Sequence, residues 1–549
     1  CSASAHQPMH SKNQRHVMAF NGEIYNFKEI RQQLERQSEV FLSHSDTEVL
    51  LSAFNCWGIE KTLKTINGMF AIALFDRQEN ALYLIRDRIG QKPLYYAKQG
   101  DCFFFASELK ALCQHPKFQR NINRDAVASY ARLNYIPAPF SIYQKTFKLI
   151  PGSFLRFSLN NPILSSPNIY WDQEKIAESS QSQLSLLSYE AAEEQLEILL
   201  KDAVKKRMVS DVPLGAFLSG GIDSSLIVSL MQTQSSSPVR TFTIGFNEAK
   251  FNEANEARAV AKHLSTEHTE FYVSSEDARS IIPNLSTIYD EPFSDVSQIP
   301  TYLVSKLARE HVTVALSGDG GDEFFAGYNR HFWVPMLWKY FGFLPGLIKN
   351  PALHTLSLLS KMVSSSKFKK LIPMLMHRSP EAMYLDLISS WKEPNDLVVR
   401  GDDKTEYQYQ QFFKQSSLDL VHKMMSLDAR HYLPDDILVK VDRASMAVSL
   451  EARSPFLDYR IAEFAWKLPL QYKVKGQSGK LMLKSLLKKY IPEDLVDRPK
   501  MGFGVPIGQW LRGPLREWAG DLINSSLIQQ QGYFDVTMIE KKWKEHQSG

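Results

Sequence analysis

The apolar positions change rhythm along the chain. Up to about residue 155 they fall in short runs separated by turn residues: HVMAFNGEIYNF, MFAIALFD, ALYLIRDR, PLYYAK and DCFFFAS. Runs of that length predict a first domain built mainly of strands. Between Leu159 and Ser188 the chain is rich in Ser, Asn and Gln, so residues 156–188 are expected to be a linker with one strand-like patch. From Tyr189 the period lengthens to that of amphipathic helices, starting with YEAAEEQLEILLKDAVKKRMV. Residues 189–549 therefore read as a second, α/β domain with many helices.

Two loops inside that second domain carry the chemistry. Val212 to Leu218 reads as a buried strand, and Leu226, Ile227, Val228, Leu230 and Met231 as a buried helix. The intervening FLSGGIDSSL supplies glycines for positive φ and close approach (Gly220, Gly221), hydroxyls (Ser219, Ser224, Ser225) and one hard carboxylate, Asp223. At a helix start, where N–H groups favour an anion, this makes a pyrophosphate cradle. An ordinary glycine-rich turn before a helix would look similar. The loop lacks the lysine of a Walker A motif, so a different phosphate chemistry is implied.

The second loop, VTVALSGDGGDEFFAGY, runs a strand (Val312 to Leu316) into Ser317, Gly318, Asp319, Gly320, Gly321, Asp322 and Glu323. VRTFTIGF reads as another strand, AVAKHL and IPTYLVSKLAREH as helices, and the alternation is βαβα. Open sheets of this kind bind ligands at the carboxyl ends of their strands. Both loops are thus expected to converge on one magnesium-bound triphosphate.

Composition narrows the partners. Lys plus Arg (64) and Asp plus Glu (60) leave a net charge of only +4. Neither a nucleic-acid partner nor a dedicated membrane surface is expected from that balance. All four cysteines lie in the first 113 residues without C-x-x-C spacing, which speaks against a disulfide framework or zinc site and for a reducing cytoplasm. No uncharged apolar run reaches spanning length; Phe332 to Val363, broken by lysines and prolines, reads as buried or interfacial helices.

SGGIDSS, SGDGGDE, SLEARSPFLD and RPKMGFGVPI together resemble the synthetase half of the glutamine-hydrolysing asparagine synthetases, and the resemblance covers nearly the whole chain. It implies an α/β fold class: a partial Ntn-type α+β sandwich, then a doubly wound parallel-sheet ATP-pyrophosphatase domain with extra helices. The family uses ATP and Mg²⁺. Carried over, the ATP-binding positions are Leu218, Ser219, Gly220, Gly221, Asp223, Ser224, Ser225, Ile244, Ser317 and Gly318, and the metal positions are Asp223 and Asp322. As plain structure, both aspartates would be helix N-caps and Ile244 strand core. Asp319, where several members carry glutamate, would orient ammonia or accept a proton. In GKLMLKSLLKKYI, Lys480, Lys484 and Lys488 form a stripe whose default reading is solvated; the resemblance puts the charge-neutralising role on Lys484. YDEPFSDVSQIP and SLEARSPFLD are expected to line the acceptor side. Arg453 would bind a substrate carboxylate or form a structural ion pair.

In the first domain, Asn21-Gly22 within AFNGEIYNF is a type I′ hairpin signal. In class II glutamine amidotransferases the same motif supplies an oxyanion hole, which implies a glutamine site at Asn21, Gly22, Glu23 and Asp46. Asp46 would hold the glutamine α-amino group, and as plain structure it or Ser45 would cap a helix. Cys1 is followed by Ser-Ala-Ser where the family has Gly-Ile, so Cys1 is expected to be out of register with the nucleophile, a head segment absent, and glutamine hydrolysis lacking. The expected activity is ATP-dependent amidation of aspartate to asparagine through β-aspartyl-AMP, with ammonia from glutamine in the intact protein. Amidation of a sugar carboxylate, β-lactam formation, non-catalytic binding of nucleotide or glutamine, and homodimer formation are left open.

Overall fold

The computed structural model describes residues 6–181, 186–246, 252–342, 377, 379–496 and 504–548. Cys1, the stretch 343–363 and most of RPKMGFGVPI lie outside the described residues.

Among the described residues the first half contains nine strands: β1 (Met9–His10), β2 (His16–Ile24), β3 (Gly68–Asp76), β4 (Ala81–Arg86), β5 (Tyr95–Gln99), β6 (Cys102–Ala106), β7 (Thr146–Lys148), β8 (Ser153–Ser158) and β9 (Asn168–Ile169). They form a six-stranded antiparallel sheet, β1-β2-β3-β4-β8-β9, and a three-stranded one, β6-β5-β7. Ala71, Leu84 and Leu155 of the first sheet pack on Tyr96 of the second, which makes a sandwich. The first sheet continues past residue 155: β8 ends at Ser158, and β9 joins it from within the expected linker.

The hairpin expected at Asn21-Gly22 is not formed. Both residues lie inside β2 and pair with Ala71 and Phe70 of β3. Gly22 has φ +154°, and a Cβ there would sit 2.0 Å from the Met69 carbonyl oxygen. Glycine is needed for close approach between strands, not for a turn.

The second half is organised on a parallel sheet. Its strands are β10 (Leu214–Phe217), β11 (Arg240–Phe246), β12 (Glu267–Val273), β13 (Val314–Leu316) and β14 (Glu451–Arg453), in the order β12-β11-β10-β13-β14. All four pairings are parallel. One face packs on helices Tyr189–Arg207, Ile222–Gln232 and Leu481–Leu487 through Leu200, Leu226 and Leu483. The other packs on helix Gln298–Arg309 through Phe242, Ile244 and Val304. Apolar contact on both faces is what a continuous Val/Ile/Leu strand pattern requires. The order runs outward from β10 to β12 and then returns to β13, so the switch point lies between β10 and β13.

Buried ion pairs join the halves. Asp458, fully buried and paired within the second half to the equally buried Arg207 at 3.1 Å, accepts the Asn67 side-chain amide across the junction at 2.7 Å. Lys92 meets Asp442 at 3.0 Å, and Arg132 meets Asp403 at 2.6 Å. Asp428–Ile437 winds as a π-helix containing Pro434. Proline has no N–H for an α-helical bond, and the wider winding accommodates it. Among the described residues no helix is long and apolar enough to cross a membrane.

Candidate active site

The loops after β10 and β13 meet at the switch point. A Cβ on Gly318 would lie 2.8 Å from the Ser224 nitrogen and 2.9 Å from the Asp223 Cβ, and one on Gly321 would lie 2.6 Å from Asp223 Oδ1. Only glycine permits that contact. The loops border one cavity of about 670 Å³, with Leu218, Ser219, Gly220, Gly221, Asp223, Ser224, Ile244, Ser317, Gly318, Asp319, Asp322 and Lys484 all on its wall. Ser225 is buried beneath the cradle, off that wall.

In the first loop Gly220 takes φ +74°, and a Cβ would strike the backbone and Cβ of Glu256. The Ser219 and Ser224 hydroxyls lie 3.0 Å apart, and Gly221 N–H donates to Ser219 Oγ at 3.3 Å. Gly221 caps helix Ile222–Gln232, and Gly320, with φ +96°, caps the short helix Gly321–Phe324. Neither Asp223 nor Asp322 is therefore an N-cap, and both reach toward the cavity.

Lys480 bridges these two carboxylates. Its ammonium pairs with Asp223 and lies 2.7 Å from Asp322 Oδ1. Burial alone would lower this lysine, but Asp223 and Asp322 outweigh that and hold it above the ordinary range. It adopts a left-handed backbone, φ 56°, just before helix Leu481–Leu487 and is only 5 % exposed. The solvated stripe is thus corrected at Lys480. Lys484, one turn on, donates to Ser478 Oγ at 2.7 Å, and Lys488 pairs with Glu493 near the surface. Gly327 makes room for the bridge, since a Cβ there would lie 1.9 Å from Asp322 Oδ1 and 2.1 Å from Lys480 Cε.

Other carboxyls surround the cavity. Burial raises Asp319, partly opposed by the Lys440 charge and the Ser317 hydroxyl. Lys440 donates to Asp295 Oδ2 and Ser297 Oγ, each at 2.8 Å. Glu323, 1 % exposed, is pushed up to about 7 by burial, reinforced by Asp322.

The asparagine synthase family model matches residues 195–549, and the glutamine amidotransferase domain model matches residues 1–171. The chain belongs to the asparagine synthase family. Glutamine-hydrolysing asparagine synthetase 1 of Bacillus subtilis is 33% identical over 548 residues, covering 98% of this chain and 83% of that protein. Synthetase 3 of the same organism is 28% identical over 505 residues, covering 89% and 75%. Amidase chyE of Penicillium rubens is 24% identical over 583 residues, covering 97% and 83%. The chain is thus a ligase of the glutamine-hydrolysing asparagine synthetase type.

In this asparagine synthase family chain, the residues expected to hold glutamine gather at the junction between halves. Asn21 Nδ2 donates to Ser107 Oγ at 3.1 Å. Asp46 Oδ2 accepts the Ile24 N–H at 3.0 Å, while Ser45, not Asp46, caps the helix by accepting from Glu48 N–H. Glu23 is pushed up to about 8 by burial and by Asp46, against the pull of Arg453. Arg453 makes a structural ion pair: it lies 2.6 Å from Glu451 and 3.3 Å from Glu23, and it donates to the Arg207 and Val209 carbonyls. SLEARSPFLD accordingly forms edge strand β14 and the junction, not the cavity wall.

Sequence reasoning missed Lys480, Glu323 and Lys440 as cavity residues. The glycine before Lys480 was a signal for the first, because it marks a break in the helix. Glu323 closes the SGDGGDE motif of the second loop, which was its signal, whereas Lys440 carries no local one.

Proposed function

We propose that the cavity activates a carboxylate, most simply the side chain of aspartate, as an acyl adenylate and then converts it to the amide with ammonia. The carrying observation is the convergence of the Ser219 and Ser317 loops on one cavity beside the Asp223, Asp322 and Lys480 cluster. Ser219, Gly220, Gly221 and Ser224 hold the leaving pyrophosphate, and Leu218 and Ile244 face the base and ribose. Asp223 and Asp322 fit a magnesium ion, because two hard carboxylates already gather around one cation, the Lys480 ammonium. Bound there, Mg²⁺ neutralises phosphate charge.

The acceptor carboxylate oxygen attacks the α-phosphorus and pyrophosphate departs, with Lys480 and Lys484 supplying positive charge beside the phosphates. Ammonia then attacks the acyl carbon, AMP leaves, and one proton is released. Asp319, raised by burial, is suited to accept that proton. Asn21, Gly22, Glu23 and Asp46 form the glutamine site of the first domain, whose sheet runs on through β9 (Asn168–Ile169), and the synthetase domain follows from residue 189. The test supplies aspartate, Mg-ATP and ammonium and follows pyrophosphate, AMP and asparagine. Equal yields of all three support the reading; no aspartate-dependent pyrophosphate release would exclude aspartate as the acceptor.

A further inference from the structure

The loop that delivers Lys480 to the cavity is held at its other end by a second buried lysine. Lys473 closes the short helix Leu470–Lys473 and is fully buried, and the chain then crosses to the cavity wall, where Gln477, Ser478, Gly479 and Lys480 all sit. The crossing is a narrow strap. Lys475 and Ser478 exchange two backbone hydrogen bonds, at 3.0 and 3.1 Å, around Gly476 at φ +62°, and residues 475–477 are exposed. The cavity end is tied down: Lys480 N–H donates to the Phe325 carbonyl at 3.0 Å, and a Cβ on Gly479 would lie 2.0 Å from the Ala326 carbonyl oxygen. Ser478 Oγ accepts from Lys484.

The other end rests on a side chain that is poorly placed to carry charge. Lys473 Nζ lies 5.3 Å from the centre of the Trp466 ring and 3.4 Å from His422 Nε2. His422 Nδ1 is 2.5 Å from Asp419 Oδ2, so Nδ1 carries the ring's proton, and Nε2 accepts from the lysine. A neutral amine makes that bond as well as an ammonium does. Burial lowers Lys473 to about 7, against the weaker pull of Asp419. The groups facing this lysine are few: helix Leu420–Leu427 presents His422 with Asp419 at its cap, and helix Tyr459–Lys467 presents the Trp466 ring. His331, on helix Arg330–Phe341, acts on His422 from behind. Burial and the neighbouring Lys473 keep His422 below its ordinary value, so it stays neutral above pH 7.

We propose that Lys473 is a pH-sensitive latch: uncharged, it holds the strap, and with it Ser478 and Lys480, against the nucleotide cavity, and as an ammonium it lets the strap lift. Lifted into water, the side chain keeps a proton up to about pH 10; latched, it releases that proton near pH 7. Between those limits the open state binds the extra proton, so raising the pH closes the strap. Below pH 7 both states are protonated and the dependence ends. Local opening of this kind needs only the strap and its short helix to move.

The test follows hydrogen exchange of the strap amides in the full chain between about pH 6 and 10, expressed as protection factors so that the chemical exchange rate cancels. In wild type, protection over residues 474–480 should rise by up to about tenfold per pH unit above pH 7 and level off below it. In Lys473→Met, which keeps the length and binds no proton, protection should be flat and at pH 7 exceed wild type by at least about tenfold. Calorimetric titration with Mg-ATP gives a second readout: from pH 9 to 7 the wild-type Kd should weaken about 3- to 10-fold more than that of Lys473→Met. If Lys473→Met fails to fold, Asp419→Asn replaces it. That variant keeps a capping side chain, and losing the carboxylate should carry the lower end of the slope below pH 7. Wild-type protection without a slope, a slope that persists in Lys473→Met, or the same pH dependence of Kd in both proteins overturns the latch. So does a loss of protection in Lys473→Met that is equal at every pH, which would mark a purely structural lysine. Neither readout needs turnover, so the latch and the amidation reading are tested separately.

Discussion

Replacing Lys480 with methionine isolates the cation between Asp223 and Asp322 while keeping the volume of the side chain. At 2.7 Å from Asp322, with an effective dielectric of about 20, the gross attraction is about 6 kcal/mol per carboxylate. Desolvating the ammonium offsets most of that, and removing one partner of a buried pair typically costs about 3–5 kcal/mol. The two aspartate side chains are 18% and 19% exposed, so water screens their repulsion and a cost somewhat below that range, about 2–3 kcal/mol, is expected. A divalent ion should substitute for the missing charge. Urea denaturation of Lys480→Met in chelator should therefore show a lower midpoint than wild type, and millimolar Mg²⁺ should recover most of the loss. Mg²⁺ should stabilise wild type less, because there the ion must displace an ammonium. Pyrophosphate release should fall about 10²–10³-fold, with a smaller loss in Lys484→Met. An unchanged midpoint in chelator, or equal Mg²⁺ stabilisation of both proteins, would refute the reasoning.

Three further outcomes are expected. Gly327→Ala should abolish pyrophosphate release while keeping its circular dichroism, since the new methyl would lie 1.9 Å from Asp322 Oδ1 and 2.1 Å from Lys480 Cε; near wild-type turnover would contradict the close approach. Asp295 is held at about 2 against an ordinary 3.8, because Lys440 overcomes the opposing effect of burial. Its contribution of about 2 kcal/mol is present above pH 4 and lost as pH falls toward 2, so Asp295→Asn should flatten the acid limb of a stability profile. Lys473, buried over the Trp466 ring and 3.4 Å from His422 Nε2, is lowered to about 7 by burial. Between pH 7 and about 10 the unfolded lysine binds a proton that the folded one does not, so stability rises with pH there. Lys473→Met should remove that slope and raise the stability at pH 7 by about 1–4 kcal/mol; a lowered stability would show that the ammonium stabilises the core.

The sequence by itself determined whatever depends on neighbours along the chain. Strand runs such as MFAIALFD and VRTFTIGF became β3 and β11, because period and β-branched content act over a few residues. The Ser219 and Ser317 loops were legible for the same reason, as glycines and hydroxyls following apolar strands. Asn21-Gly22 misled, because the dipeptide that favours a turn also permits close packing of β2 on β3. Tertiary structure alone decided which charges meet. Lys480 lies 257 residues from Asp223, and its left-handed backbone turns it inward from what helical period reads as an outer stripe. Arg453 was claimed by Glu23, 430 positions away, and Glu323 was left with a buried, unspent oxygen. Such pairings follow from how the sheet and the two halves close on one another, and Coulomb energy depends on distance through space, which local pattern does not encode.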